Sequence, residues 1–470
     1  MKTIRERELK LDVDPGFTLP EVGGRPIPPR TFTSTYFDTP EHRLLRSGIT
    51  LRRRVENRKG VWQLKLPSDV GRFELEAPGG PAPPRAFLDL LVALLRHSEL
   101  TPVAKLRTRR AGVAVGPRPD RIEVVVDTVA SLDGARVLSS FVEVEAEVVK
   151  GEGAQLGAIG KALRKAGARP SAGQPKLTRV LSVETQAPTE DGGPIGRLRE
   201  LLLEQYETML ANDPGVRLGK DIEALHQLRV ATRRSRALLR AARGLVAAEW
   251  AEPLRRELAW LGGLLGPVRD ADVLLEHLDS EGVALEGDDA RAFRRLRARL
   301  AAERNDGRAA LLEAMGSTRY FELLDRLEGV STAPAGDDAR PLADIAAAEF
   351  ASLRQAVKAL PKRPTDDELH NVRIHTKRAR YAAELASPEL GKRGAKLVER
   401  AKEVQDVIGE HQDAFVAEER LRAMALRGGG KTGLTAGRLI ERQHQRKRAA
   451  RKAFPDAWRR LDKARRGAFG

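Results

Sequence analysis

The hydrophobic period of this 470-residue chain changes once, and the change separates two kinds of structure. Up to about residue 183, short segments alternate apolar and polar residues, which predicts strands: TIRERELKL, GITLRRRVE, WQLKLP, RFELEA, DRIEVVVDTV and SFVEVEAEVV. From residue 197 onward, Leu, Ala, Arg and Glu recur with the helical period. The segment 184–196, rich in Pro, Gly and Thr, predicts a linker. We therefore expect an α+β protein of two domains, 1–183 and 197–470.

The charge of the chain indicates an anionic partner. Its formal net charge is +17 at pH 7, which suits nucleic acid, an anionic membrane surface, or a phosphate polymer or nucleotide. Aromatic residues make up only 4%, which argues against base stacking on single strands. The absence of cysteine excludes disulfides and thiolate metal sites. The first residues, MKTIRERELK, lack an apolar signal core, and no apolar run is long enough to cross a membrane, so we expect a cytoplasmic protein.

The helical region contains an internal duplication. LHQLRVATRRSR at 225–236 returns as LHNVRIHTKRAR at 369–380, so His370 follows His226 by 144 residues. LGPVRDAD at 265–272 returns as IGEHQDAF at 408–415, and ERNDGR at 303–308 returns as ERQHQR at 441–446. Matched blocks in the same order predict two homologous helical halves, about 197–330 and 340–470, that pack about a pseudo-twofold axis.

A basic stripe runs along one helix face in each half. The first comprises His226, Arg229, Arg233, Arg236 and Arg240, and the second His370, Arg373, Lys377 and Arg380. Burying unpaired guanidinium groups would cost several kcal/mol each. Asp270, Asp272 and Asp413 are too few to neutralise both stripes. We therefore expect the stripes to bind an anion.

Charged residues in the strand region are segregated strand by strand. Residues two apart share a strand face, which groups Glu6 with Glu8, Arg52 with Arg54, Glu74 with Glu76, Lys105 with Arg107 and Arg109, and Glu143 with Glu145. This segregation favours a closed antiparallel sheet with a charged, wet lumen over an open sheet with one charged outer face. Lumen carboxylates would hold hard divalent cations, and lumen Arg and Lys would hold phosphate oxygens.

The ExExK motif at Glu6–Lys10, followed in order by YFDTPEHRLLRSGITLRRR, WQLKLP, FELE and VEVE, resembles the CYTH family of triphosphate tunnel enzymes over about 1–183. The resemblance implies an eight-stranded antiparallel β tunnel with flanking helices that binds a triphosphate and hydrolyses or rearranges it with Mg²⁺ or Mn²⁺. It implies catalytic, metal-binding carboxylates at Glu6, Glu8, Glu143 and Glu145, and phosphate-binding residues at Lys10, Arg52, Arg54, Lys65, Arg107, Arg109 and Lys176. Glu74, Glu76 and Asp127 would complete the lining. Members of the family often have a Ser-Lys pair where this chain has Pro175 and Lys176.

The duplicated stripe and the LGxxxD block resemble the CHAD domain over roughly 197–470. The resemblance implies two four-helix halves around a basic channel that binds inorganic polyphosphate. The residues it implies for this binding are His226, Arg229, Arg233, Arg234, Arg236, His370, Arg373, Lys377, Arg378 and Arg380. The helical stripe adds Arg240, and the internal alignment of the two halves adds His411, Arg442, His444 and Arg446. His375, whose repeat position holds Ala231, is expected to be peripheral.

The two resemblances together predict a metal-dependent inorganic triphosphatase that hydrolyses tripolyphosphate and carries a polyphosphate-binding domain. Phosphoryl transfer depends on charge neutralisation and positioning more than on a covalent nucleophile. No adenine pocket is readable, which favours an inorganic substrate, but a nucleotide triphosphate-processing or adenylate cyclase-like enzyme stays open. So does a non-catalytic protein that targets polyphosphate granules. Nucleic acid stays open on charge alone, without any docking motif, and no membrane partner is expected.

Overall fold

The computed structural model describes residues 2–68, 71–116, 121–151, 153–171, 176–181, 193–282, 287–338, 340–428 and 430–470. Within these ranges, the side chains of 2–6, 68, 71–72, 281–282, 288, 427–428 and 430–432 are outside the description. The chain divides into two compact units, Met1–Ala187 with Glu207–Leu225, and Pro188–Tyr206 with His226–Gly470. Segment 207–225 thus groups with the first unit, whereas the sequence placed it in the helical domain.

The first unit is built on one antiparallel sheet. Its strands are β1 (Lys2–Glu6), β2 (Glu8–Val13), β3 (Arg25–Asp38), β4 (Thr50–Glu56), β5 (Lys59–Ser68), β6 (Gly71–Pro78), β7 (Thr101–Val115), β8 (Arg121–Asp133), β9 (Arg136–Lys150) and β10 (Arg169–Pro170). β1 pairs with β6, and β2, which follows after Arg7, pairs with β9 at the other end of the strand order, so the sheet closes on itself. The expected closed antiparallel sheet is therefore confirmed, with one strand split in two and the short β10 added beside β2.

The closed sheet carries apolar side chains on its outer face, beneath helices α1 (Arg43–Arg46), α2 (Arg85–Leu95) and α3 (Leu156–Lys165). Leu51, Leu64 and Leu75 are fully buried in one core with Phe87 and Leu91 of α2. Because side chains alternate along a strand, the residues between these leucines point into the lumen. The helices thus fix the sheet with its polar face inward.

The rest of the described chain is helical. Its helices are α4 (Pro194–Leu218), α5 (Ile222–Ala241), α6 (Ala248–Gly282), α7 (Gly287–Met315), α8 (Thr318–Glu328), α9 (Leu342–Lys358), α10 (Asp366–Leu385), α11 (Ser387–Gly428) and α12 (Gly430–Phe469). Both stripe helices, α5 and α10, contain 20 residues. Side chains of α6, α7, α11 and α12 meet in one core, as a pseudo-twofold arrangement of two halves requires. In the described part of the chain, no helix is long and apolar enough to cross a membrane.

The start of stripe helix α10 is fixed by a capping box. The Thr365 hydroxyl accepts a hydrogen bond from the Glu368 backbone N–H at 3.2 Å, and the Glu368 carboxylate accepts one from the Thr365 N–H at 2.7 Å. This reciprocal pair satisfies two backbone donors that a helix start leaves free. It therefore defines where the second basic stripe begins.

Candidate functional site

The lumen of the closed sheet is a single charged cavity. It brings together nine of the predicted residues: Glu8, Lys10, Arg52, Arg54, Lys65, Glu74, Glu76, Glu145 and Lys176. Sequence reasoning missed other lining residues, namely Arg30, Phe32, Tyr36, Thr50, Gln63, Arg110 and Glu147. The predicted carboxylate of Glu6 lies outside the described residues. Opposite charges from nearly every strand therefore face one another across a narrow space.

Three buried carboxylates form a compact group in the tunnel. Asp127 of β8 and Glu143 and Glu145 of β9 each offer an oxygen, and these oxygens lie within 4.8 Å of one another. Their exposed fractions are 0%, 1% and 8%. Asp127 pairs with Glu143 across the two strands, which places both on the inner face. Hard carboxylate oxygens are the ligands that Mg²⁺ and Mn²⁺ prefer, so the group fits a divalent cation.

Basic side chains of the protein surround these carboxylates. The Lys10 ammonium lies 3.1 Å from Glu145, and the Arg110 guanidinium donates to Asp127 and Glu145 at 2.6 Å each. Lys176 contacts Asp127 and lies 3.0 Å from Glu143 and 3.4 Å from Glu145. The predicted phosphate ligands Lys10 and Lys176 thus lie against the acidic group.

Burial and neighbouring charges shift the pKa values of Glu143, Glu145 and Lys176. Burial would raise the pKa of Glu145, but Lys176, Lys10 and Arg110 hold that pKa well below its usual value. Burial raises the pKa of Glu143, although Lys176 opposes the shift. Burial also disfavours the charged form of Lys176, yet Glu145 and Asp127 raise its pKa above the usual lysine value. Glu145 is therefore ionised and Lys176 is protonated near neutral pH.

A second group in the same cavity contains arginines. Arg52 donates to Gln63 at 2.8 Å and to the Tyr36 hydroxyl at 3.1 Å, and Gln63 in turn donates to Glu76 at 2.7 Å. Burial lowers the pKa of Arg54, and the neighbouring Arg52 lowers it further. Crowded guanidinium groups of this kind gain from a bound anion that offsets their repulsion.

The structure corrects the prediction for Arg107 and Arg109. Both side chains are exposed, whereas Leu106 and Thr108 are buried and Arg110 lines the lumen. Side chains alternate between the two faces of β7, so Lys105, Arg107 and Arg109 share one face and Leu106, Thr108 and Arg110 share the other. The face with three cations is the one that is exposed to solvent. Arg110 is placed in the lumen by the pairing of β7 with β8, which sets it opposite Asp127.

A basic pocket in the helical unit brings together residues of both repeat halves. Of the predicted set it contains His226, Arg229, Arg233, Arg373 and Arg446, from α5, α10 and α12. Arg269, Asp270 and His277 of α6 and Asp413 of α11 also line it. Arg269 lies in the LGPVRDAD block, whose repetition predicted the duplication but not a basic residue of the site.

Like charges crowd this pocket. Arg229 lies 3.3 Å from Asp270, and Arg446 lies 2.6 Å from Glu410. Burial lowers the pKa of Arg373, and Arg233 and Arg229 lower it further. Burial, with Arg373 and Arg233, lowers the pKa of Lys377, one turn further along α10, to about 6. The local acids therefore do not balance the cations, and a bound anion would relieve the repulsion.

Other residues of the predicted polyphosphate set do not line this pocket. Arg234 and Arg380 instead pair with Glu384 at 2.9 and 3.0 Å. His411, 2% exposed, lies between Asp366 and Arg451. The remaining such residues of the described set are Arg236, Arg240, His370, Lys377, Arg378, Arg442 and His444. His444 pairs with Glu418 at 2.9 Å, and His370 contacts Gln412 at 2.7 Å.

Two of these placements have physical reasons. Arg234 of α5 and Arg380 of α10 belong to the predicted basic set, but both pair with the carboxylate of Glu384, which offsets part of their charge. His411 is enclosed in an ion-pair network, where burial and then Arg451 lower its pKa. The structure therefore argues against a direct role in anion binding for Arg234, Arg380 and His411.

The fold and the two sites define a class of protein: a charged antiparallel tunnel joined to a duplicated helical module with a basic pocket. Comparison with family models identifies a CYTH domain at residues 5–165 and a CHAD domain at 200–422. The chain belongs to the proteins that combine these two domains. It is 32% identical over 484 aligned residues to an uncharacterized protein of Mycobacterium tuberculosis (strain CDC 1551 / Oshkosh), with 94% of this chain and 92% of that protein covered.

Two solved structures are similar to part of this chain. PptA from Streptomyces chartreusis is 28% identical, with a TM-score of 0.48, and the match covers 56% of this chain and 99% of that chain. The CHAD domain from the plant Ricinus communis is 25% identical, with a TM-score of 0.47, and covers 56% and 91%.

Proposed function

We propose that the tunnel hydrolyses inorganic tripolyphosphate with Mg²⁺ or Mn²⁺, and that the helical unit binds inorganic polyphosphate. The observation that carries the enzymatic half is that Glu145 lines the same cavity as Arg52 and Arg54, and that its carboxylate clusters with those of Asp127 and Glu143. Hydrolysis of a phosphoanhydride requires a cation site and an anion site side by side. CYTH membership supports this function.

The roles of the residues follow from their chemistry. Asp127, Glu143 and Glu145 would hold the divalent cation, which when bound polarises phosphate oxygens and a water. Arg52 and Arg54 bind the equatorial phosphate oxygens and keep the chain extended along the lumen. Lys65, which lies 3.8 Å from Glu74, adds a mobile point charge beside them.

The aromatic lining favours an inorganic substrate over a nucleotide. The rings of Phe32 and Tyr36 lie in the cavity, but guanidinium groups already cover them: Arg54 and Arg110 lie 5.5 and 5.7 Å from the Phe32 centroid, and Arg52 lies 5.9 Å from that of Tyr36. A base could stack there only by displacing these cations. The described lining therefore offers phosphate contacts more readily than a base platform.

Phosphate release by the purified chain tests this half. We expect release from tripolyphosphate with Mg²⁺ or Mn²⁺, and much slower release from ATP. The double variant Glu6→Gln, Glu8→Gln should lose the activity if the glutamates of the first motif belong to the metal site. An unchanged rate in this variant would exclude them.

Polyphosphate binding by the helical unit is supported by the arginines Arg229, Arg233 and Arg373, which crowd one another in the pocket, and by CHAD membership. We expect the double variant Arg229→Gln, Arg373→Gln to bind long polyphosphate at least about tenfold more weakly, since each charged hydrogen bond contributes roughly 1.5–3 kcal/mol. The variant Arg294→Gln, Arg299→Gln removes the same charge from exposed positions of α7 and is the control. Equal loss in both would indicate a general charge effect.

Competition separates this ligand from nucleic acid. If the pocket binds phosphate chains, long polyphosphate should displace duplex DNA at equal charge concentration. DNA that resists displacement would favour the nucleic-acid alternative.

A binding-only tunnel is the second candidate function, because a lysine of the protein already occupies the carboxylate group. In that case the helical unit would recruit the chain to polyphosphate granules. Intact polyphosphate binding without turnover of any triphosphate would support it.

A further inference from the structure

Lys176 lies within the carboxylate group that would hold the metal ion. Its ammonium group contacts Asp127, lies 3.0 Å from Glu143 and 3.4 Å from Glu145, and its side chain is 7% exposed. These are the three carboxylates whose oxygens lie within 4.8 Å of one another. A divalent ion bound by all three would need the space and the charge that the ammonium group now supplies.

The backbone of Lys176 is anchored in the core, while its side chain is held in the lumen by the three carboxylates. It begins a short 3₁₀ helix, Lys176–Arg179, and the next residue, Leu177, is 1% exposed in a core with Leu106 and Val129. A lysine ammonium sits on a flexible four-carbon stem. The ammonium can therefore move within the lumen without moving the segment that carries it.

The charges around the carboxylates are already balanced. Three negative groups face the ammonium groups of Lys10 and Lys176 and the guanidinium of Arg110. A fourth cation, Arg179, lies 3.5 Å from Glu143 but is shared with Asp12 at 2.8 Å. Adding a divalent ion to this arrangement would create an excess of buried positive charge, which is costly at low dielectric. Displacement of one ammonium group would halve this excess.

We propose that Lys176 is a tethered cation that competes with the divalent metal ion for Asp127, Glu143 and Glu145, so that metal binding displaces its ammonium group into the lumen. Lys10 and Arg110 reach the carboxylates from neighbouring strands, whereas Lys176 reaches them from the short turn. Once displaced, Lys176 remains in the cavity that contains Arg52 and Arg54, where it can contact phosphate. Since the metal ion is the one required by the proposed triphosphatase, this role rests on that function.

Direct Mn²⁺ binding to the full-length protein, without any phosphate, tests the competition. The probe is the electron paramagnetic resonance signal of free Mn²⁺ during titration. We expect Lys176→Met to raise the affinity for Mn²⁺ by at least about tenfold, because one competing charge is removed at contact distance. The control Lys161→Met removes a lysine from an exposed position on α3 and should leave the affinity unchanged.

An affinity that is unchanged or lower in folded Lys176→Met protein overturns the proposal, since Lys176 would then be neutral toward the ion or help to bind it. Phosphate release is scored separately. If the variant binds Mn²⁺ more tightly but the natural chain does not hydrolyse tripolyphosphate, the competition stands and the proposed triphosphatase is rejected. If the natural chain hydrolyses tripolyphosphate but the variant binds Mn²⁺ no more tightly, the triphosphatase stands and the competition is rejected.

A second measurement on the unmodified chain covers the case in which Lys176→Met does not fold. Buried in its ion pairs, Lys176 should react slowly with an acetylating reagent. We expect Mn²⁺ to accelerate acetylation of Lys176 several-fold relative to Lys161, read by mass spectrometry of the digested protein. If Mn²⁺ leaves this ratio unchanged, the ammonium group is not displaced and the proposal fails.

Discussion

The tunnel and the basic pocket both contain clustered cations, but these cations are paired with carboxylates in the tunnel and crowd one another in the pocket. In the tunnel, each buried carboxylate meets cations at contact distance, as Glu145 does with Lys10 and Arg110. In the helical unit, burial lowers the pKa values of Arg373 in the pocket and of Lys377 one turn further along α10, and neighbouring cations lower them further. The tunnel is thus balanced in itself and suits a substrate that arrives with its own metal ion. The pocket is unbalanced and suits a polyanion alone.

The largest expected effect is the loss of tunnel chemistry on removing one buried carboxylate charge. We expect Glu145→Gln, which keeps the shape, to lower phosphate release from tripolyphosphate by about 100-fold or more, because one metal ligand is lost at a site that depends on electrostatic stabilisation. Polyphosphate binding by the helical unit should be unaffected.

The control for this change is Glu99→Gln, an exposed glutamate of the same unit. A melting curve must accompany both variants, because breaking a buried ion pair can cost about 3–5 kcal/mol. A folded Glu145→Gln protein with normal turnover of tripolyphosphate would contradict this prediction. It would show that activity does not depend on the charge of Glu145.

An intermediate effect is expected from pH at the helical pocket. The pKa of Lys377 is about 6 in the free protein, so this lysine is largely neutral at pH 7 and charged at pH 5. A bound polyanion favours the charged form, so binding takes up a proton. Affinity for polyphosphate should therefore rise as pH falls from about 8 toward 6, by up to about tenfold per unit from this one group.

The variant Lys377→Met isolates that contribution. Its affinity should depend less on pH, so the natural chain should gain more affinity than the variant as pH falls from about 8 toward 6. His226 and His277, which line the same pocket, remain in both proteins and set the residual dependence. Binding measured by fluorescence anisotropy at several pH values checks this, and identical slopes would contradict it.

The smallest effect is expected on the outer surface of the tunnel. Arg107→Gln with Arg109→Gln should change turnover of tripolyphosphate less than about twofold, since exposed charges lie in water and are screened. Arg110→Gln, one residue further along β7 and inside the lumen, should reduce it strongly. Equal effects of the two changes would show that the outer arginines act in catalysis after all.

Much of the fold followed from local patterns in the sequence. The alternation in VEVEAE placed Glu143 and Glu145 on one face, and both are indeed buried on the same side of β9. The repeated LHQLRVATRRSR segment predicted a second stripe helix, and α5 and α10 carry equivalent residues. Patterns of this kind are reliable because period and repeat depend only on the chain itself.

The site was less predictable, because partners that lie far apart in sequence decide it. Glu384 follows Arg380 by four residues on α10, but nothing in the sequence indicates that it also pairs with Arg234 of α5. Lys176 comes from a turn 49 residues after Asp127, and its partners are defined only by closure of the tunnel. His277 entered the pocket from a helix whose sequence shows no basic stripe.

By itself, the sequence determined which residues share a face and which segments are copies of each other, because alternation and duplication are properties of the covalent chain. Only the tertiary structure decided which face turns inward. In β7 both faces carry arginine, and the pairing of Arg110 with Asp127 places Arg110 in the lumen while Arg107 and Arg109 face solvent. Burial is a property of the assembled fold, and so is the neutralisation of each charge that it encloses.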